Sequence, residues 1–113
     1  MLPQKNRLNK KEVGFVFKKG RTVKEDFLIL KATKEKIPYS SFSVIVPVKV
    51  SKKSTQRNKI KRKIRESLRK KLHTIKPGIK GLFIALPEII DKSYKEIDDK
   101  IEKIIESAKI KKT

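Results

Sequence analysis

Residues Gln56–Lys71 read "QRNKIKRKIRESLRKK" and carry nine lysines and arginines against one acid, Glu66. Ile60, Ile64 and Leu68 recur at every fourth position, and Leu72 continues the series. That spacing predicts an amphipathic helix with an aliphatic stripe on one side. With Ile60 at zero and about 100° per residue, the stripe centres at about 60°. Asn58, Arg62, Arg65 and Arg69 then gather between about 140° and 200°, forming one ridge beside the stripe. Lys61 lies between ridge and stripe, while Lys59, Lys63 and Lys70 point elsewhere. Arginine suits such a ridge because its planar guanidinium grips a phosphate with two parallel bonds and stacks on bases. Ser54 or Thr55 is the expected N-cap. Lys52, Lys53 and Arg57 crowd a helix start whose dipole favours anions. That arrangement is mildly destabilising alone and becomes favourable once a phosphate binds there.

On the N-terminal side, Asn9 is placed to cap a first helix over Lys10–Lys19, with Val13, Val16 and Phe17 on its apolar face and Gly20 as its stop. "DFLILKAT" (26–33) has the length of a strand. In "SFSVIVPV" (41–48), Phe42, Val44, Val46 and Val48 alternate with Ser43, Ile45 and Pro47, the two-residue period of a strand. Pro47 belongs near its end or on an edge. Residues 34–41, with Pro38 and two serines, suggest a hairpin connection. On the C-terminal side, "KPGIKG" stops the basic helix after His73, and "GLFIALP" (81–87) reads as a buried strand. Ser93 and Glu96 have the spacing of a capping box. Ile97, Ile101, Ile104, Ile105 and Ala108 make the apolar face of a last helix. Residues 110–113 read as a frayed basic tail. The order is αβββαβα over a single domain, 1–113, an α+β fold with helices packed on a small sheet.

The charge is localised. The chain has 32 basic and 12 acidic residues, a formal net charge of +20. Residues 49–71 alone hold net +11, more than half the excess. Such a footprint points to a polyanionic partner. No segment approaches the roughly 18 consecutive apolar residues of a spanning helix. The N-terminus lacks the apolar core of a signal peptide, and there is no cysteine. These features fit a cytoplasmic protein without a membrane partner, and no obligate protein partner is evident. A free membrane-surface or calmodulin-binding peptide is disfavoured, because the helix is embedded between strands and its stripe has no Trp or Phe. With one histidine, a paired-histidine nuclease mechanism cannot be built. Six acids between Asp91 and Glu106 alternate with lysines, the pattern of a solvated, ion-paired helix rather than a two-metal centre. No catalytic or metal-ligating residue is therefore assigned in this chain. A structural RNA-binding protein, such as a small ribosomal protein, is the alternative reading; DNA recognition by the basic helix ranks below it.

"RNKIKRKIRE" (57–66) resembles the RNR motif of the bacterial ribonuclease P protein family, roughly R-N-x-x-K-R-x-x-R-E. Arg57, Asn58, Lys61, Arg62, Arg65 and Glu66 meet every fixed position. "NRLNKKEVGFVFKKGRTV" and "VIVPVKVSKKST" are similar to the opening helix and to the strand leading into the motif. The resemblance spans about residues 5–110. It implies a small α/β sandwich of the kind seen in the second domain of small-subunit ribosomal protein five, with a left-handed βαβ crossover through the basic helix. It implies a protein subunit of ribonuclease P, a ribonucleoprotein that removes the 5′ leader of precursor tRNA. The RNA would carry the chemistry, with Mg²⁺ held mainly by the RNA. Its expected partners are the catalytic RNA and the 5′ leader.

By motif position, RNA contacts are expected from Lys49, Lys52, Lys53, Arg57, Asn58, Lys59, Lys61, Arg62, Arg65 and Arg69. A leader-binding cleft is expected from Val13 and Phe17 on the first helix, Leu30 on a strand, and the Val46–Val48 strand. Val13 and Leu30 stand where the family often has aromatic residues, and Leu86 where it commonly has arginine. Phe17 has a competing role in core packing.

Overall fold

A computed structural model describes residues 6–112 of the chain. Helix α1 spans Lys10–Lys19, strand β1 Arg21–Glu25, β2 Leu28–Lys34 and β3 Ser41–Ile45. Helix α2 spans Ser54–Lys71 and runs into a 3₁₀ turn over Leu72–Thr74; β4 is Ile79–Ala85. A second 3₁₀ turn, Pro87–Asp91, precedes α3, Tyr94–Ser107. Leaving the two short turns aside, this is the expected αβββαβα order.

The sheet order is β1-β2-β4-β3. β1 and β2 form an antiparallel hairpin, β2 and β4 pair antiparallel, and β3 and β4 pair parallel. Residues 35–40 are therefore not the expected hairpin connection, because β4 inserts between β2 and β3. β4 is the most buried of the strands, with Ile79, Leu82, Phe83 and Ala85 all nearly inaccessible, so it takes a central place. Parallel neighbours need a crossover of a dozen or more residues, and α2 supplies it. The 35–40 segment is instead sewn to the start of β4. The Glu35 N–H donates to the Gly78 carbonyl at 2.7 Å, and the Gly78 N–H to the Tyr39 carbonyl at 3.0 Å. Gly78 has φ +86°, and a Cβ there would sit 2.2 Å from the Glu35 oxygen, so the turn requires glycine.

Strand alternation gives the sheet two faces. Leu28, Leu30, Phe42, Val44, Phe83 and Ala85 point to one face and pack with Ile60, Ile64 and Leu68 of α2 and Ile97, Ile101, Ile104 and Ile105 of α3 in one core. The α2 and α3 stripes are as the spacing predicts. Ser67 is also fully buried, and its hydroxyl donates to Asp98 Oδ1 at 2.6 Å across the α2–α3 contact. α1 packs on the opposite face, over β2 and β4. Lys80 Nζ reaches Glu12 at 2.7 Å and Glu35 at 3.5 Å, tying α1 to the sheet.

The expected frayed tail is ordered as far as Lys112. Ile110 is buried and Lys111 bridges Ile75 in a short antiparallel pair. The Lys76 N–H donates to the Ile110 carbonyl at 2.8 Å and the Lys112 N–H to the Thr74 carbonyl at 2.7 Å. Ile110 is the cause: its side chain can leave water only by joining the core beside Ile75. Thr113 lies outside the described residues.

Candidate nucleic-acid interface

α1 and α3 begin with complete capping boxes, Asn9 with Glu12 and Ser93 with Glu96. α2 does not. Its N-cap is Lys53, not Ser54 or Thr55; no side chain caps it, and its first turn has no acid. The nearby hydroxyl of Ser51 is engaged by the loop, accepting from the Lys53 N–H at 3.2 Å and donating to Gln56 Oε1 at 2.7 Å. The first N–H groups of a helix have no intrahelical partner. Here they open toward a turn in which Lys49, Lys52 and Lys53 are all exposed.

Along α2 the ridge stands where the helical wheel puts it. Asn58, Arg62, Arg65 and Arg69 are exposed and Lys61 is half-buried. Asn58, Arg62, Arg65 and Glu66 line a shallow concavity of about 430 Å³. Arg69 is tied to Glu66 by two bonds of 2.5 and 3.2 Å. The hydrogen bond from Arg69 holds the Glu66 carboxyl below its ordinary range. Arg57 turns away from the ridge, its guanidinium donating to the Ser51 carbonyl at 2.8 Å, so it fixes the entry loop. Lys59 is exposed off the ridge. Lys63, Lys70 and Lys71 sit toward α3: Lys63 donates to the Lys92 carbonyl at 3.5 Å, Lys70 lies 5.4 Å from the Tyr94 ring centre, and Lys71 pairs with Asp98 at 2.7 Å. The basic helix thus divides its cations: one set clamps α2 to α3 and the other faces outward.

The second expected site needs correction. Leu30 is fully buried and Val46 is 5% exposed; both belong to the core against α2 and α3, on the wrong side of the sheet from α1. β3 ends at Ile45, so Val46–Val48 is not a strand; Val48 is exposed in the turn that follows Pro47. Pro47 cannot donate to a ladder, and its carbonyl instead accepts from the Val50 N–H at 3.0 Å, which closes that turn. The residues that do face α1's side are one position away. Ile29, Ile84 and Ile45 are in register across β2, β4 and β3 and form a half-buried aliphatic row. Val13 is half-buried, whereas Phe17 is 51% exposed, so core packing does not account for that ring. Lys31 Nζ sits 4.8 Å from the Phe17 ring centre and donates to the Phe17 carbonyl at 3.3 Å. Val13, Phe17 and the isoleucine row thus share the α1 side of the sheet, with Lys31 set against one face of the Phe17 ring. The strands' two-residue period carried the signal for Ile29 and Ile45, but "LIL" and "VIV" are apolar on both faces and do not say which face is which.

No group of three or more His, Cys, Asp or Glu side chains among the described residues could hold a metal ion. Most carboxylates are instead held by lysines: Glu12, Glu25, Asp26, Glu35, Glu96, Asp98, Asp99, Glu102 and Glu106 all have one within ion-pair distance. The donor set does not fit a protein-held Mg²⁺. Among the described residues, no helix is long and apolar enough to cross a membrane.

A family model described as Ribonuclease P matches residues 2–109. A "Ribonuclease P protein component" from Pseudanabaena sp. is 31% identical over 112 residues, covering 97% of each chain. Another from Clostridioides difficile is 34% identical over 104 residues, covering 89% of this chain and 90% of its own. Among solved structures, a Staphylococcus aureus RNase P protein mutant with defective mRNA degradation activity superposes with a TM-score of 0.86 at 25% identity, covering 95% of this chain and 91% of its own. The RNase P protein from Thermotoga maritima shares the fold, with a TM-score of 0.82 at 23% identity, covering 89% of this chain and 96% of its own.

Proposed function

The chain belongs to the ribonuclease P protein family, and from that premise we propose that α2 seats the enzyme's catalytic RNA while the trough beside α1 receives the 5′ leader of precursor tRNA. As the protein component, the chain is a subunit of a ribonucleoprotein that processes tRNA 5′ ends, and the catalytic role lies in the RNA. The observation that carries the RNA assignment is the concavity walled by Asn58, Arg62, Arg65 and Glu66, whose one carboxylate is engaged by Arg69, on a helix whose N-terminus has no side-chain cap. A strand laid along this face would meet guanidinium donors at the concavity and, about 12 Å toward the helix start, the N–H groups of the first turn. Lys49, Lys52 and Lys53 extend the same field along the entry turn; Lys59, Lys61 and Arg69 flank it, and Arg57 holds the loop in place. For the leader, Phe17 offers a stacking face, Lys31 a phosphate contact, and Val13 with Ile29, Ile45 and Ile84 an apolar floor. In this reading Mg²⁺ belongs with the RNA, a placement supported by the pairing of most of this chain's carboxylates with lysines. The complex works in the cytoplasm.

The test is cleavage of precursor tRNA at low Mg²⁺ by a bacterial ribonuclease P RNA, with and without the chain. Stimulation is expected, and Arg62→Ala with Arg65→Ala should reduce it while the protein stays folded. Each lost phosphate contact should also flatten the log–log salt dependence of RNA binding by up to about 0.9. Unchanged affinity and slope in the double variant would remove the ridge from the interface. No stimulation by folded wild-type chain would defeat the proposal as a whole.

A further inference from the structure

A second cationic site lies at the other end of the sheet from the start of α2. Arg21, Lys34, Lys76 and Lys109 surround a concavity of about 310 Å³ whose floor includes Ile79 and Ile110; no acid lines it. It sits at the Ile79 end of β4, whereas β3 leads into α2 from the end where Ile45 pairs with Ile84. At about 3.3 Å per residue, the two sites lie roughly 20 Å apart along the strand direction. The Arg21 guanidinium is anchored on the Ala108 carbonyl, so it covers the negative end of α3 and is held at the rim.

These cations are uncompensated for a structural reason. Ten of the twelve acids already hold a cation elsewhere. Among the described residues, none of the four pocket cations forms an ion pair. Four like charges around one concavity repel each other, and an anion between them removes that cost. The apolar floor adds a surface for a sugar or base, which inorganic phosphate alone would not use.

We propose that this pocket is a second phosphodiester-binding site, taking a nucleotide unit of an RNA strand that also engages the complex at α2 or at the leader trough. The inference rests on the RNA-binding reading of the chain and extends its footprint to the opposite pole. The strand belongs either to the catalytic RNA or to the precursor tRNA, and binding assays separate these sources.

The test compares Lys34→Gln with Lys76→Gln, as a double variant, with a charge-matched control, Lys95→Gln with Lys103→Gln, on the acid-rich surface of α3. One arm titrates ribonuclease P RNA; the other titrates assembled holoenzyme with precursor tRNAs of increasing leader length. Arg62→Ala with Arg65→Ala is carried through both. The pocket variant should lose up to about 1.8 from the salt slope, or about 1.4 on a single strand. The control should lose far less. Loss on the first arm assigns the strand to the catalytic RNA, and loss on the second arm alone assigns it to the precursor. A pocket variant that matches the control on both arms overturns the proposal, and a loss by the ridge variant in the same titration leaves the RNA-binding reading standing.

Discussion

Lys53→Asp should make the free protein more stable and its RNA complex weaker. Lys53 already has the extended backbone of an N-cap, with φ −81° and ψ 117°, so an aspartate there needs no rearrangement. Its carboxylate would accept from the free N–H groups of the first turn, a contribution of about 1 kcal/mol. Replacing a cation by an anion at the positive end of the dipole adds about 0.3–1 kcal/mol. Gln56 adds no reciprocal bond, because its side chain and the residue-53 N–H are both held by the Ser51 hydroxyl. The sum is about 1–2 kcal/mol. For a domain of this size it raises Tm by roughly 4–8 °C, taking an unfolding entropy of about 2.1 cal/mol/K per residue. RNA loses at the same site, because the new carboxylate occupies the N–H groups and repels phosphate. The salt slope should fall by about 0.9 for the lost cation, with a further loss of affinity at fixed salt. Calorimetry and RNA titration on one preparation test both halves. A higher Tm with unchanged RNA affinity would show that the phosphate does not sit at this helix start. An unchanged Tm would refute the capping argument itself.

Lys80→Met keeps the volume of the side chain but cuts α1's tie to the sheet, at a cost of about 1 kcal/mol in urea unfolding at neutral pH. The Asn9 N–H and then Lys80 hold the Glu12 carboxyl below its ordinary 4.5, so the pairing is complete above that value and is lost as pH falls through the depressed one; the gap between wild type and variant should close in acid, and a gap that persists there would refute this assignment. Phe17→Ala should cost under about 1 kcal/mol of stability, since half the ring is exposed, yet weaken leader-dependent precursor affinity by about 1–3 kcal/mol for a stacked base. Equal affinity for long and short leaders in wild type and variant alike would remove Phe17 from the trough. Asp98→Ala strands the buried Ser67 hydroxyl and frees Lys71, and should cost about 2–3 kcal/mol. A thermal shift smaller than about 4 °C would show that the α2–α3 contact does not depend on this network.

Apart from the uncapped start of α2, local order was legible in the sequence and non-local order was not. The Asn9 cap, the Ser93–Glu96 box, the Ile60-to-Leu72 stripe and the five apolar positions of α3 are fixed within a few residues of chain, so spacing alone locates them. The outward ridge follows from the same helical period. The 35–40 connection could not be read this way, because nothing within it says that a strand some forty residues later will enter between β2 and β3. Ser67 is similar: a serine among charged residues looks solvated until Asp98, thirty-one residues on, accepts its hydrogen bond. The trough was misplaced by a single position. Where both parities of a strand are apolar, alternation cannot say which side becomes core, and only packing against α2 and α3 decides that Leu30 turns inward and Ile29 outward.

The misplacement matters because of how the fold distributes its charge. A chain with 32 cations and 12 acids must put most of its positive charge where self-repulsion is tolerable. The acids are spent on structure: Asp98 joins α3 to α2, Glu12 and Glu35 join α1 to the sheet, and Glu25 and Asp26 join the β1–β2 hairpin to α3. The cations without an ion pair include most of the outer face of α2, its entry turn and the pole around Arg21 and Lys76. The repulsion left there is a standing cost in the free protein and is relieved on binding a polyanion. RNA bound as proposed would stabilise the fold by its affinity for the native state, most where the chain has withheld its own caps and counter-ions. On the proposed reading, the apolar side beside α1 distinguishes a leader from generic backbone, because its contacts would depend on a ring and three isoleucines rather than on charge.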